Sequence, residues 1–247
     1  MKWRVIPFAE YGAFMNMAID EAVSESVAAG GPPTIRFYGW NPSAVSIGYF
    51  QSLEKEVDLH RCRFEGVDVV RRRTGGGAVY HDRSGEITYS IIGKEELFPK
   101  DILASYRLIC GHIVDSLAFL GIQSEFKPIN DIIVNGKKIS GNAQTRRGGV
   151  LLQHGTILFS VDVDRMFSLL KVSDEKIKDK MIASVKERVT SISLQRTVSR
   201  ELVLEALLGG FTKGKVFRLG ELERTEFDPA SKIAESRYKR DEWNSMR

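Results

Sequence analysis

Apolar positions along this 247-residue chain change their period partway along, alternating with turns at first and recurring at helical spacing later. Trp3 to Ile6 predicts a short strand, and a helix follows from about Phe14 to Ala29. There Met15, Ala18, Ile19 and Ala22 share one stripe, and Gly30-Gly31-Pro32-Pro33 stops it. Two apolar runs, Thr34 to Tyr38 and Ala44 to Tyr49, flank Gly39-Trp40-Asn41-Pro42-Ser43 and predict a pair of strands joined by a turn. A short helix around Glu56 to Glu65 leads to further strands at Val67 to Arg72, Ala78 to Tyr80 and Glu86 to Ile92.

Between Asp101 and Leu120 the residues Ile102, Tyr106, Ile109, Cys110, Ile113, Leu117 and Leu120 recur at helical spacing, and Gly121 ends the run. Asn135-Gly136 between Asp131 to Val134 and the segment from Lys137 is a strong two-residue hairpin signal, and Arg147-Gly148-Gly149 turns the chain into a strand at Val150 to Ser160. Helical patterns then follow at Asp164 to Leu170, Glu175 to Ala183 and Ser199 to Leu208, the last with Ser199 placed to cap it. Strands gathered in one block and helices in another predict an α+β fold with a mixed, mostly antiparallel sheet flanked by helices.

Composition narrows the class. The length is about one and a half times the ~150-residue prior for a domain, so residues 1–247 are expected to form one domain. With 36 Lys+Arg against 32 Asp+Glu the net charge is +4, enough to suit an anionic ligand and far short of a nucleic-acid coat. Two cysteines, Cys62 and Cys110, build neither a disulfide framework nor a cysteine zinc site. Without a signal-like amino terminus or a run of ~20 apolar residues, the expectation is a cytoplasmic protein that meets neither membrane nor nucleic acid.

The densest chemical signal is Arg71-Arg72-Arg73-Thr74-Gly75-Gly76-Gly77-Ala78-Val79-Tyr80-His81-Asp82. Three glycines between strands let a ligand lie against bare backbone, with arginines supplying fixed charge; alone, the same triplet reads as a hairpin turn with solvated arginines. It is neither a Walker loop nor a dinucleotide fingerprint. The second signal is Asn130-Asp131 followed by Lys137-Lys138-Ile139-Ser140-Gly141-Asn142-Ala143-Gln144. Neighbours on a strand face opposite ways, so one lysine points inward, where an ammonium can stabilise developing negative charge; a hairpin with two solvated lysines is the plainer reading. Cys110 lies on an apolar stripe and Cys62 beside no base motif, and the four histidines have no ligand spacing, so neither a cysteine nucleophile nor a protein-built metal centre is expected.

With these residues the chain resembles the lipoate–protein ligase A family, within the biotin and lipoate ligase superfamily. The Arg71 to Asp82 stretch is similar to its lipoate-binding loop, and Lys138 to Gln144 to its lysine motif. Supporting likenesses run from Phe14 to Glu21, Ser46 to Gln51, Gln153 to Leu158 and Asp241 to Asn244. The resemblance implies an ATP-dependent ligase that converts lipoate to lipoyl-AMP and passes it to a lysine of a lipoyl domain. It implies Lys138 as the catalytic residue, with Arg72, Thr74, Gly75, Gly76, Gly77, Ala78, Tyr80, His81, Gly141 and His154 around the acyl group. Asn130, Asp131, Lys178, Ser184 and Arg188 are implied for ATP, with Asp131 holding its Mg2+. Octanoyltransferases, which move octanoyl from acyl carrier protein to the same lysine, are the alternative. The resemblance implies a thioester-forming cysteine for them, on an inserted segment before the lysine hairpin, and Phe126 to Asp131 has none. A non-catalytic lipoate-binding protein is a third possibility, disfavoured by Lys138, Asp131 and the glycines standing together. Many family members carry a C-terminal accessory domain; the chain stops shortly after Trp243, so a separate small accessory subunit is expected in its place.

Overall fold

The structure, a computed structural model, describes the backbone of residues 1–171 and 175–247 and the side chains of 1–171 and 180–247. Eight strands form the main sheet. They are β1 (Trp3–Tyr11), β2 (Thr34–Trp40), β6 (Glu86–Lys94), β7 (Glu125–Lys127), β8 (Asp131–Val134), β9 (Lys137–Arg147), β10 (Val150–Leu158) and β11 (Phe217–Leu219), in spatial order β11-β1-β2-β6-β10-β9-β8-β7. Only β11–β1 and β1–β2 pair in parallel; the rest of the sheet is antiparallel, as the sequence predicts. A second sheet holds β3 (Ala44–Ile47) between β4 (Asp68–Arg71) and β5 (Val79–His81).

Period-two alternation sends the two sides of the main sheet to different helices. Ile35, Phe37, Ile87, Tyr89, Ile91 and Leu151 pack on α4 (Ile102–Phe119) and α8 (Arg200–Thr212). Tyr38, Trp40, Ile92 and Leu152 pack on α1 (Ala13–Ala28) and α9 (Arg224–Ile233). By length and composition α4 is apolar enough to cross a membrane, yet its Ile109, Cys110, Ile113 and Leu117 stripe is buried against the sheet. The small sheet has its own core, Val45, Ile47 and Val57 with Cys62, over α2 (Leu53–Glu56) and α3 (Leu59–Phe64). The remaining helices are α5 (Val163–Leu169), α6 (Glu175–Arg188), α7 (Ile192–Gln195) and α10 (Asp241–Asn244).

Local signals translate directly. Asn135 and Gly136 take φ of 49° and 76°, the left-handed pair a two-residue hairpin requires, and Ser199 caps α8 by accepting from Leu202 N. Three expectations are corrected. The runs at 34–38 and 44–49 do not pair: β2 lies between β1 and β6, while β3 lies in the other sheet. The single helix expected over 56–65 is two short helices, with Val57 bridged to Leu170 between them. β1 is also longer than the predicted 3–6.

Candidate functional site

The three consecutive arginines have three different jobs. Arg71, at the end of β4, is fully buried and donates to the carbonyls of Gly48, Tyr49, Gln51, Trp243 and Asn244 at 2.6–3.1 Å. Its own backbone is held by Asn244 Oδ1 at 2.7 Å and by Trp243 Nε1 at 2.9 Å, so the far C-terminal segment braces the root of the glycine loop. Arg73 turns outward to Glu21 at 2.8 Å, a carboxylate that also receives Arg237 and the Tyr238 hydroxyl. Only Arg72 reaches the site. Its guanidinium folds the loop around itself, donating to Ser46 O, Gly75 O, Gly77 O and Thr74 Oγ1 at 2.7–3.2 Å. Burial lowers its pKa to about 10, which leaves it charged at neutral pH.

The glycines differ as well. Gly76 alone of the three has positive φ, 95°, and its carbonyl lies where a Cβ on Gly48 would stand, 2.0 Å away. Close backbone contact between β3 and the loop thus requires glycine at 48 and fixes the position of Gly76. A Cβ on Gly75 or Gly77 would meet no protein atom, so their bareness leaves open room over the loop.

Beneath the loop, between the small sheet and the α1 side of the main sheet, runs a channel of about 330 Å³. Its wall includes Arg72, Gly76, Gly77, Ala78, Tyr80 and His81 from the loop strand, and Gly141 and His154 from the main sheet. Thr74 and Gly75 are not on this wall; Thr74 is buried behind it, its Oγ1 2.7 Å from His154 Nε2. His154 Nδ1 lies 3.5 Å from Asp20 Oδ2. Burial outweighs that carboxylate and holds the His154 pKa below the usual histidine range, so the ring is neutral at pH 7. Burial pushes Asp20 the other way, but His154 and the Arg36 guanidinium at 2.9 Å bring its carboxyl below the ordinary value. His81 stacks on Trp40 at 3.9 Å; its Nδ1 is 2.8 Å from Glu86 Oε1 and its Nε2 2.8 Å from Ser46 Oγ. The sequence reading missed Trp40, Ser46 and Glu86 as partners of His81: the contact of the two sheets brings Trp40 and Glu86 to it, and the β3–β5 pairing brings Ser46.

Lys138 also lines the channel. Its side chain is 41% exposed, and its Nζ lies 2.6 Å from Asp131 Oδ1. An irregular register between β8 and β9, where Ile133 pairs with Lys138 and Ile132 with Ser140, buries Ile139 in the core while Lys138 lines the channel and Lys137 stays exposed. Asn130 also lines the channel and is tied to Asn142 by reciprocal amide–carbonyl hydrogen bonds. The carboxylate expected to hold Mg2+, Asp131, is therefore engaged by the lysine itself, and among the described residues no group of three His, Cys, Asp or Glu side chains could hold a metal ion. From α6 the channel receives Val185, and from just beyond it Val189, whereas Ser184 and Arg188 are not on its wall; the Lys178 side chain lies outside the described residues. Neither cysteine lines the channel: burial, with Asp58 and Glu65 adding to it, pushes Cys62 to about 11, and burial pushes Cys110 to about 12.

The channel thus joins a largely apolar lining to the Arg72 guanidinium, two histidines and the Lys138 ammonium. Comparison with known proteins agrees on the family. The model of the Lipoyl protein ligase A/B catalytic domain matches residues 12–212. Octanoyltransferase LipM of Anoxybacillus flavithermus is 37% identical over 99% of this chain and 98% of its own, and that of Geobacillus kaustophilus 38% identical over the same shares. A bi-partite lipoate protein ligase from Thermoplasma acidophilum, solved in an analysis that also covers its E2 lipoyl domain, superposes with a TM-score of 0.92 at 35% identity, over 99% of this chain and 96% of that one. These findings correct the ATP-dependent ligase expected from the sequence, because the full-length curated relatives are octanoyltransferases. The expectation leaned on a missing cysteine. The LipM alignments extend over 275 positions against 247 residues here, so those relatives carry residues that this chain lacks.

Proposed function

Because the chain belongs to the lipoyl protein ligase A/B catalytic domain family, we propose that it is an octanoyltransferase, moving an octanoyl group from the thioester of an acyl carrier protein to a lysine of a lipoyl domain. The observation that carries this reading is the channel of about 330 Å³ lined by the glycine loop, His154 and Lys138, in a chain whose full-length relatives are octanoyltransferases. The hydrocarbon chain lies under the glycine loop, and its carbonyl meets the Lys138 ammonium. Attack by the acceptor amine puts negative charge on the carbonyl oxygen, and a fixed ammonium stabilises that charge as it develops. The C–S bond then breaks, the C–N bond stands, and the proton lost by the amine accompanies the departing thiolate.

The transfer is direct. With Cys62 and Cys110 buried away from the channel and their thiols raised to about 11 and 12, the acyl group passes from donor to acceptor without stopping on the enzyme. A thioester is already activated, so neither ATP, nor magnesium, nor a separate adenylating subunit is required by this chemistry. The test is mass spectrometry of a lipoyl domain incubated with the chain and octanoyl-acyl carrier protein, without ATP. One octanoyl group should be added, and the double variant Cys62→Ser with Cys110→Ala should add it too. Transfer from free acid only, with an absolute need for ATP, would overturn the reading; an octanoyl thioester trapped on either cysteine would overturn the direct route.

A further inference from the structure

A second cavity of about 340 Å³ lies behind the channel, under α1, and two side chains, Met17 and His154, line both. The two partition residues are not alike. His154 is held on one side by Thr74 at 2.7 Å and faces Asp20 on the other, so it is fixed. Met17 is an unbranched side chain, 4% exposed, with no polar partner to hold it, the type that fills irregular gaps. The lining also changes character across the partition. On the channel side apolar Trp40, Ala78 and Val79 stand with Arg72 and Glu86; beyond it Asp20, Glu21, Arg73 and Arg147 stand with Val150 and Leu152.

We propose that Met17 is the stop that sets the length of the acyl chain. This rests on the acyl-transfer reading for the identity of the ligand, though not for its donor. An acyl group held with its carbonyl at exposed Lys138 points its methyl end inward, toward the buried partition. There the thioether blocks further methylenes, and the charged cavity behind it gives hydrocarbon no favourable place to go. Up to the stop, each added methylene strengthens binding about fourfold; past it, strain or contact with charge reverses the trend. Met17→Ala empties the space its side chain fills, room for about two more methylenes, so the optimum moves outward. Met17→Phe enlarges the stop, so the optimum moves inward.

Calorimetric titration with hexanoate, octanoate, decanoate and dodecanoate reads the stop without donor or acceptor chemistry. Wild type should bind octanoate best of the four. Met17→Ala should bind decanoate best and lose affinity for octanoate by a factor of several, and Met17→Phe should bind hexanoate best. Thermal melts establish that each variant folds. An eight-carbon optimum retained by a folded Met17→Ala chain overturns the proposal, and if that variant does not fold, an eight-carbon optimum in Met17→Phe does so. Shifted optima without any transfer to a lipoyl domain would uphold the stop and overturn the transferase reading, whereas a wild-type chain that binds none of the four acids overturns both.

Discussion

A Cβ on Gly141 would stand 2.8 Å from both Cε and Nζ of Lys138, so this ammonium lies where only a glycine leaves it room. The atoms displaced by Gly141→Ala are the far end of a flexible side chain, which can move away at little cost in stability. The variant should therefore melt within a few degrees of wild type yet lose turnover by about tenfold or more, since the ammonium no longer meets the carbonyl. Unchanged turnover would show that Lys138 does not act from this position. The neighbouring lysines give a sharper contrast. Lys138→Ala removes the ammonium altogether and should reduce transfer by at least about a hundredfold, while Lys137→Ala, exposed across the strand, should stay near wild type. Equal losses in an acylation assay would refute the assignment.

At the scale of elements, the joint between α4 and α8 carries a pH dependence. The helices pack so closely that a Cβ on Gly210 would be 2.2 Å from Ser116 Oγ. Beside that joint His112 Nε2 lies 3.0 Å from Lys215 Nζ, with Asp115 and Lys213 near and Phe211 against the ring. Burial first, and the Lys215 ammonium second, bring the His112 pKa down to about 4. A histidine depressed in the folded state binds its proton more readily when unfolded, so its contribution is complete above the unfolded pKa of about 6.5 and disappears as pH falls toward 4. The loss is on the order of 2 kcal/mol for this partly exposed group. Urea unfolding at pH 7 and pH 4.5 should show wild type losing more stability than His112→Gln, and equal losses would remove the histidine from the account.

On the scale of the whole molecule, the two ends of the chain are tied to each other and to the glycine loop. Arg4 on β1 meets Glu226 on α9 at 2.6 Å, both buried, with Thr34 accepting from the same guanidinium. Asn244 near the C-terminus holds the backbone of Arg71 and so the loop that covers the channel. Removing its amide leaves the buried Arg71 N–H without a partner, which costs about 1–3 kcal/mol. Asn244→Ala should accordingly lower the melting temperature and weaken octanoate binding together. A lower melting temperature with unaltered octanoate affinity would mean that the C-terminal brace does not reach the site.

Periods and turn residues in the chain were sufficient for most of the architecture: α4, α8 with its Ser199 cap, the Asn135-Gly136 hairpin and the α+β class are local matters, settled by spacing and by which residues tolerate positive φ. Composition drew attention to the glycine loop and the paired lysines, while the choice of Lys138 came from the family resemblance. What Arg71 and Arg73 hold, what His81 touches and which residues separate the two cavities were decided only by tertiary structure. Arg71 takes its partners from residues 48–51 and 243–244, His81 from 40, 46 and 86, and the channel floor from Met17 and His154, so each depends on segments far apart in sequence. α9 was not expected either, because its buried Glu226, beyond the local capping box with Glu223, is neutralised by distant Arg4. Side-chain periodicity reports which face of an element is buried; it carries no information about what lies opposite that face.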